Sequence, residues 1–267
     1  MAKSENEKPN AMFDFPSVVP CRGTNILSLD LDPRLEVRVD AGIEFINKVL
    51  GAGEHELGVT PSTSILFTGG AGAGKTTLAV QLADAWTKAG GIAIVNGQEE
   101  HPLQVRKTVK RLDLKSGFFI GEDRLVPKML QHADFLRDAN PNAPLLIVCD
   151  SLQTHDDGFY KDGGINTQTP VRVTKQITEY CKKTYSVAAI IGQVNKDGKF
   201  SGKNAIKHLV DVHMHLALDA KPTSETFGKR ILKVEKNRFG FSQVGYFLGM
   251  NSKGLYADGE WSPVIEE

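Results

Sequence analysis

The stretch that decides the fold is "SILFTGGAGAGKTTLAVQLADAWTKAG", residues 64–90. It begins with a short apolar run of β type that ends in glycines. It continues with Leu78, Leu82 and Trp86 at helical spacing. Between the two lies the pattern G-x-x-x-x-G-K-[ST], in the strand–loop–helix context that a phosphate-binding P-loop requires. The stretch therefore predicts a nucleotide site at the end of a strand.

Each part of the P-loop has a physical task. Glycines let successive backbone N–H groups turn toward phosphate oxygens, and the helix that follows presents its positive end. Lys75 can reach the β and γ phosphates, and the Thr76 hydroxyl can bind Mg²⁺. We expect ATP and Mg²⁺ as ligands. The predicted nucleotide contacts are Gly69, Gly70, Ala71, Gly72, Ala73, Gly74, Lys75, Thr76, Thr77 and Asp150.

Three more side chains are expected at the same site. Asp150 ends the apolar run "LLIVCD", where a second acidic group can hold the water shell of Mg²⁺. Glu99 or Glu100, directly after "IAIVN", can deprotonate the attacking water, although acidic residues there can also simply stabilise a helix dipole. Gln193 ends the last parallel strand, where it can sense the γ-phosphate or be a plain strand-end amide.

The rest of the chain predicts the fold class. From residue 64 to about 194, short apolar runs alternate with helical patterns, which indicates βαβ units and a parallel sheet covered on both faces. After about residue 208, consecutive short runs predict hairpin-linked strands that extend the sheet in antiparallel fashion. We therefore expect an α/β P-loop NTPase with a mostly parallel central sheet. Residues 1–33 are predicted to be an irregular arm and 34–267 the ATPase domain.

Composition excludes some function classes. The formal net charge is zero, so any affinity for nucleic acid must come from a local patch. The three cysteines, Cys21, Cys149 and Cys181, form neither a C-x-x-C zinc pair nor a disulfide framework, which fits a reducing cytosol. No apolar run approaches the roughly 18 residues of a membrane span. A cytoplasmic protein without a membrane partner is expected.

Several motifs go beyond a generic P-loop. "DSLQT" (150–154), "VNKDGKFSG" (194–202) and "KNRFG" (236–240) occur in that order. Over about residues 35–256 the chain resembles the RecA-like ATPase core of the bacterial RadA/Sms DNA-repair proteins. The resemblance implies ATP hydrolysis, single-stranded DNA binding, and branch migration of recombination intermediates or helicase-like translocation. It also implies a homo-oligomeric ring, a hexamer similar to DnaB-type helicases, with ATP at the subunit boundaries.

The chain departs from the family in three places. The family's four-cysteine zinc module and its Lon-protease-like domain have no counterpart in this sequence. Where the family shows S-G-E-E-S, this chain has "NGQEE" (96–100), so an ungapped match puts Gln98 at the catalytic glutamate. One extra residue before "KRL" permits Glu99 to take that role, and we expect Glu99. Gln193 replaces a histidine common in the family, but glutamine occurs there in RecA and DnaB relatives.

The family resemblance also points to DNA contacts. In RecA-like rings the loops after the Asp150 strand and after the Gln193 strand line the central channel. The second loop carries the predicted DNA-binding residues Lys196, Lys199, Phe200 and Lys203. A basic loop with glycines and an aromatic residue suits single strands, although it could also be simply solvated. In the first loop, "HDD" (155–157) is interpreted as a solvated turn.

The "KNRFG" motif is the most specific element of the resemblance. Lys236 and Arg238 are two apart on a predicted strand, so they leave the same face. In the family this motif is similar to the lysine and arginine fingers of DnaB-type helicases, which implies catalytic contacts to the ATP of a neighbouring subunit. Two other functions stay open: a KaiC-like regulatory switch acting on proteins, and a structural subunit that does not hydrolyse ATP. A metal pair at His213 and His215 is disfavoured because no third ligand accompanies them.

Overall fold

The computed structural model describes residues 25–53, 55–161, 163–193, 204–224 and 226–262. The chain divides into two compact units, Met1–Asp32 and Pro33–Glu267. In the described part of the first unit, a single 3-10 turn, Ile26–Ser28, is capped by Asn25, whose side-chain oxygen accepts from the Leu27 N–H at 3.0 Å.

The second unit is built on one sheet. Its described strands are β1 (Ser64–Gly69), β2 (Ile92–Gly97), β3 (Phe119–Gly121), β4 (Leu145–Asp150), β5 (Val187–Ile191), β6 (Val212–Leu218), β7 (Arg230–Asn237), β8 (Val244–Asn251) and β9 (Gly254–Trp261). Their order is β3-β2-β4-β5-β1-β6-β7-β8-β9. The pairs from β3 across to β6 are parallel, and those from β6 to β9 are antiparallel.

Helices cover both faces of this sheet. The described helices are α1 (Glu44–Leu50), α2 (Lys75–Lys88), α3 (Pro102–Arg111), α4 (Val126–Ala139), α5 (Thr169–Thr184) and α6 (Asn204–Leu209). Side chains of α1 and α2, including Trp86, pack on one face, and side chains of α4, α5 and α6 pack on the other. The predicted α/β class, with a mostly parallel sheet and an antiparallel C-terminal extension, is confirmed. No helix in the described ranges has the length and apolar character to cross a membrane.

Two details differ from the sequence-based expectation. Strand β6 pairs parallel to β1, because α6 returns the chain to the amino edge of the sheet before β6 begins; the antiparallel extension starts only with β7. The apolar pattern around Phe119 predicts a core residue, but Phe119 is 53% exposed because β3 is the edge strand and has a neighbour on one side only. Trp86, on the apolar stripe of α2, is buried, as that stripe predicts.

The register of the parallel strands positions the candidate site. Gly97 pairs with Asp150, and Asp150 pairs with Ile191. Strand β1 ends at the same edge with Gly69. The residues that follow these strands therefore meet at one edge, the carboxyl edge, where open α/β sheets bind ligands.

Candidate active site

The P-loop connects β1 to α2 at the carboxyl edge. Gly74, directly before the helix, has φ +108°, a left-handed conformation that favours glycine. The Lys75 ammonium donates to the carbonyl oxygens of Gly69 at 2.8 Å and Gly70 at 2.9 Å, so it is already drawn into the curve of the loop. Burial lowers the pKa of Lys75, while the nearby charges of Asp150 and Glu99 raise it. A cation so placed can exchange its carbonyl partners for phosphate oxygens.

Thr76 and Asp150 form the second part of the site. The Thr76 hydroxyl donates to Asp150 Oδ2 at 2.8 Å. Burial raises the pKa of Asp150, the Thr76 hydrogen bond lowers it, and the charge of Glu99 raises it further. Two neighbouring carboxylates and a hydroxyl at a phosphate site fit Mg²⁺, since oxygen ligands suit that ion and its charge offsets their repulsion.

Glu99 lies between two donors. Ser151 Oγ donates to Glu99 Oε1 at 2.8 Å, and Gln193 Nε2 donates to the same oxygen at 3.0 Å. The neighbouring Gln98 does not join these bonds: its side-chain nitrogen is buried, and no acceptor among the described residues bonds it. The structure thus brings Glu99 and Gln193 together with Asp150, and it adds the contact of the Ser151 hydroxyl with Glu99, which the sequence did not indicate.

Arg230 also reaches this edge, and sequence reasoning missed it. It is the first residue of β7, and its Nε donates to the carbonyl oxygen of Ala73 in the P-loop at 2.8 Å. Ala73 and Arg230 are far apart in the chain, and they meet because β6 lies between β1 and β7 in the sheet. No local sequence pattern could therefore have indicated the contact. Arg230 ties the antiparallel extension to the phosphate loop.

The two cations of "KNRFG" have different surroundings. The Lys236 ammonium donates to three carbonyl oxygens around the end of α6: Lys207 at 3.0 Å, His208 at 3.5 Å and Val210 at 2.6 Å. Such a cation stabilises a helix C-terminus. Arg238 NH1 donates to Asp211 Oδ1 at 2.9 Å, yet 48% of the Arg238 side chain is exposed. Arg238 can therefore make a further contact, whereas the Lys236 ammonium is already engaged.

Neither cation lies at the P-loop of its own chain. Asn237 pairs with Val212, which pairs with Ile65 near the start of β1, whereas the P-loop begins at Gly69. Ile65 and Gly69 are four residues apart along β1, which corresponds to about 13 Å at roughly 3.3 Å per residue. Lys236 and Arg238 thus lie toward the amino edge, and a phosphate contact from them would have to be made to another copy.

The other residues of the motif are fixed by close packing. Asn237 Oδ1 accepts from the Phe239 N–H at 3.0 Å, and Arg38 NH2 donates to the Phe239 carbonyl at 2.7 Å. A Cβ on Gly240 would lie 2.0 Å from the carbonyl oxygen of Gly51, so no larger residue fits without movement. The motif therefore has a structural role within the chain as well.

The turn after β4 is not solvated, so the interpretation of "HDD" was wrong. His155, Asp156 and Asp157 are all buried. Asp157 forms an ion pair with Arg172 of α5, which offsets the cost of burying its charge. The loop then exposes two aromatic rings, Phe159 and Tyr160.

These two rings form an exposed aromatic pair. Phe159 is 65% exposed, and the rings meet edge to face with centroids 5.0 Å apart. The Arg172 guanidinium lies 4.5 Å from the Phe159 centroid. The predicted DNA-binding residues Lys196, Lys199, Phe200 and Lys203 lie outside the described residues.

His213 and His215 belong to a buried network rather than a metal site. Both rings hydrogen-bond the Thr68 hydroxyl, and His213 Nδ1 lies 2.8 Å from Glu235 Oε2. Burial lowers the pKa of both histidines, while Glu235 raises it. In the part of the chain that the structure describes, no three His, Cys, Asp or Glu side chains are grouped to hold a metal ion.

Comparison with known proteins identifies the core. The chain is 31% identical over 219 residues to the DNA repair protein RadA of Aquifex aeolicus, covering 82% of this chain and 46% of that protein. It is 31% identical over 234 residues to the DNA repair protein RadA of Mycobacterium tuberculosis H37Rv, covering 87% of this chain and 46% of that protein. This chain carries the RecA-like core of the RadA family. It spans about half the length of the curated relatives it matches. No protein-family model matches it.

Solved structures agree with this RadA-type fold. A KaiC-like protein from Pyrococcus horikoshii OT3 aligns with a TM-score of 0.63 and 18% identity, over 82% of this chain and 98% of that one. The solved ATPase domain of a second protein aligns with a TM-score of 0.66 and 12% identity, over 74% of this chain and 86% of that one. At these identities the comparisons show the RecA-like fold alone.

Proposed function

We propose that this RadA-type core hydrolyses ATP and uses the energy to act on single-stranded DNA or recombination intermediates, as one subunit of a ring, a hexamer in the simplest case. The observation that carries the proposal is the Glu99 carboxylate, held by Ser151 and Gln193 beside the P-loop lysine and Asp150. Water activation calls for a carboxylate there in addition to the one expected at Mg²⁺. The setting that supplies both ATP and DNA is the cytoplasm.

The residues suggest the following division of tasks. Lys75 leaves its two loop carbonyls and binds phosphate oxygens. Glu99 accepts a proton from water as the water oxygen attacks the γ-phosphorus; the bond to the β–γ bridging oxygen breaks, and ADP and phosphate leave. Thr76 and Asp150 would hold Mg²⁺, which neutralises phosphate charge when bound. Gln193 is suited to sense the γ-phosphate because its amide already contacts Glu99.

The second half of the site would come from a neighbouring copy. Arg238 lies too far from its own P-loop, yet about half of its side chain is exposed. An arginine delivered across a subunit boundary can neutralise the charge that develops on the transferred phosphoryl group. Lys236 can assist only if it gives up carbonyl partners around α6. The ring thus supplies what a single copy lacks.

For DNA, the exposed Phe159 and Tyr160 rings supplement the basic residues predicted to bind DNA between positions 196 and 203. Aromatic faces stack on bases of any sequence, and the neighbouring Arg172 adds a cation. We expect Phe159→Ala to weaken binding of a fluorescein-labelled oligo-dT strand by about 5-fold to 150-fold, since one base stack contributes roughly 1–3 kcal/mol. Phe135→Ala, at a similarly exposed ring on α4, is the matched control and should leave affinity unchanged. Equal affinities for all three proteins would reject this platform.

The proposal is tested by steady-state ATP hydrolysis with and without single-stranded DNA. We expect Mg²⁺-dependent turnover that rises when DNA is added. Turnover that ignores DNA would contradict the motor and favour a nucleotide-dependent switch acting on proteins. ATP binding without turnover, in a protein whose melting temperature rises with ATP, would contradict the enzyme and favour a structural subunit.

A further inference from the structure

Ser151 is the residue at this edge to which no role has been assigned. It follows Asp150 at the end of β4, directly before a 3-10 turn, Leu152–Thr154. It is 1% exposed, and its hydroxyl is directed at Glu99 Oε1. A buried hydroxyl that donates to a carboxylate across two strands fixes where that carboxylate can lie.

The backbone of Ser151 is held unusually firmly. Its carbonyl oxygen accepts from the Thr154 N–H at 3.1 Å, from the Thr154 hydroxyl at 2.8 Å and from His155 Nδ1 at 2.9 Å. His155 is completely buried. Rotating the peptide after Ser151 would break all three bonds inside the protein, so the turn fixes the Ser151 backbone that carries the side chain.

Glu99, in contrast, has no such local support. It lies in the exposed turn after β2, and its described side-chain bonds come from Ser151 at the end of β4 and Gln193 beyond β5. Both donors bind Oε1, and no donor among the described residues binds Oε2. One oxygen is therefore fixed, and the other is left to accept a proton.

We propose that Ser151 is the positioning residue for Glu99: its hydroxyl holds Oε1 so that Oε2 faces the attacking water. The inference rests on the proposed ATP hydrolysis. Ser151 acts only through Glu99, so removing its hydroxyl should slow the chemical step and leave ATP binding intact.

The test is a double-mutant cycle in the full chain with Ser151→Ala, Glu99→Gln and the double variant. We expect Ser151→Ala to lower kcat about 10-fold with KM for ATP unchanged, because a misplaced catalytic group costs rate rather than binding. In the Glu99→Gln background the same change should lower kcat less than about 2-fold, since groups acting as a unit are not additive. Ser186→Ala, a buried serine at the amino edge, is the control and should leave kcat unchanged.

Urea unfolding of the wild type and the three cycle variants separates this inference from the proposed function. A non-additive unfolding cycle together with non-additive turnover supports the positioning role. Independent effects of the two substitutions on kcat would overturn it, while the proposed ATPase would stand. If the wild type binds ATP without hydrolysing it, the proposed function fails, and the positioning role fails with it. That holds even if the free energies of unfolding are non-additive and so still show the contact between Ser151 and Glu99.

Discussion

The carboxyl edge of the sheet and the "KNRFG" motif are both rich in charge, yet their side chains are bonded in different ways. At the carboxyl edge, Lys75 and Glu99 bond to groups that a ligand can replace or share: loop carbonyls, a hydroxyl and an amide. In the motif, Lys236 and Arg238 bond to a helix end and to a buried carboxylate. The bonds of the first region suit exchange with a ligand, whereas those of the second hold both cations within the fold.

The difference also separates the two cations of the motif. Asp211, the partner of Arg238, keeps two donors from Ser64, the backbone N–H at 3.1 Å and the hydroxyl at 2.9 Å, if Arg238 moves away. Among the described residues, no second donor would replace Lys236 at the carbonyl oxygens that it binds. We therefore expect Arg238 to serve catalysis between subunits and Lys236 to serve mainly the structure.

The largest expected effect is that of Arg238→Ala on turnover. An arginine finger contributes about 1000-fold or more to the rate of phosphoryl transfer, so kcat should fall by that order while ATP still binds. Steady-state hydrolysis and equilibrium binding of a fluorescent ATP analogue measure the two. Arg38→Ala is the comparison variant, because Arg38 donates to the Phe239 carbonyl of the motif but is not itself part of the motif. Full activity of Arg238→Ala would place its role in the fold alone.

Glu99→Gln should reduce turnover by about 100-fold, the usual contribution of a general base, with ATP binding retained. Glu100→Gln and Gln98→Ala are the matched controls from the same turn, and each should keep kcat within about 3-fold, since only Glu99 joins the network of Ser151 and Gln193. Undiminished hydrolysis by Glu99→Gln, or a larger loss in either control, would move the base to another residue.

Lys236→Ala should act on stability more than on rate. Removing the ammonium leaves the carbonyls around α6 without their donor, at a cost of about 1–2 kcal/mol in the free energy of unfolding. Urea denaturation measures this, and kcat should fall less than in Arg238→Ala. A stable Lys236→Ala protein with the same loss of turnover as Arg238→Ala would instead indicate two equivalent fingers.

The smallest effect concerns pH. Burial lowers the pKa of His213 below its ordinary value near 6.5, so the unfolded chain binds a proton that the folded chain does not. The contribution of the neutral His213 ring to the free energy of unfolding should be fully present above about pH 6.5. It should decrease as the pH falls below that ordinary pKa, by up to about 1.4 kcal/mol per pH unit. His213→Gln should flatten this dependence in urea unfolding at about pH 5 to 7, whereas His55→Gln, at an exposed position, should not. Parallel curves would contradict the buried, neutral ring.

The sequence predicted what depends on local pattern. The P-loop, the strand end at Asp150 and the alternation of strands and helices follow from residues close together in the chain. Spacing favoured Glu99 over Gln98, but the contacts of Glu99 could not be predicted, because they come from Ser151 and Gln193 at the ends of other strands. The burial of Asp157 was missed for the same reason, since its partner Arg172 lies on α5.

Long-range pairing explains the remaining differences. Strand β6 is parallel to β1 because of where α6 returns the chain, and the contact of Arg230 with the P-loop depends on that register. The different surroundings of Lys236 and Arg238 could not be foreseen either. Spacing put the two residues on one face, but α6 and Asp211 decide what each of them touches.

The most direct test of the account is to mix two inactive proteins, Lys75→Ala and Arg238→Ala, after dissociation and reassembly. A mixed boundary can join an intact P-loop from Arg238→Ala with an intact Arg238 from Lys75→Ala. We expect hydrolysis to reappear in the mixture at a substantial fraction of the wild-type rate, although each protein alone has almost none. A mixture that assembles like the wild type but stays inactive would contradict a site completed between copies.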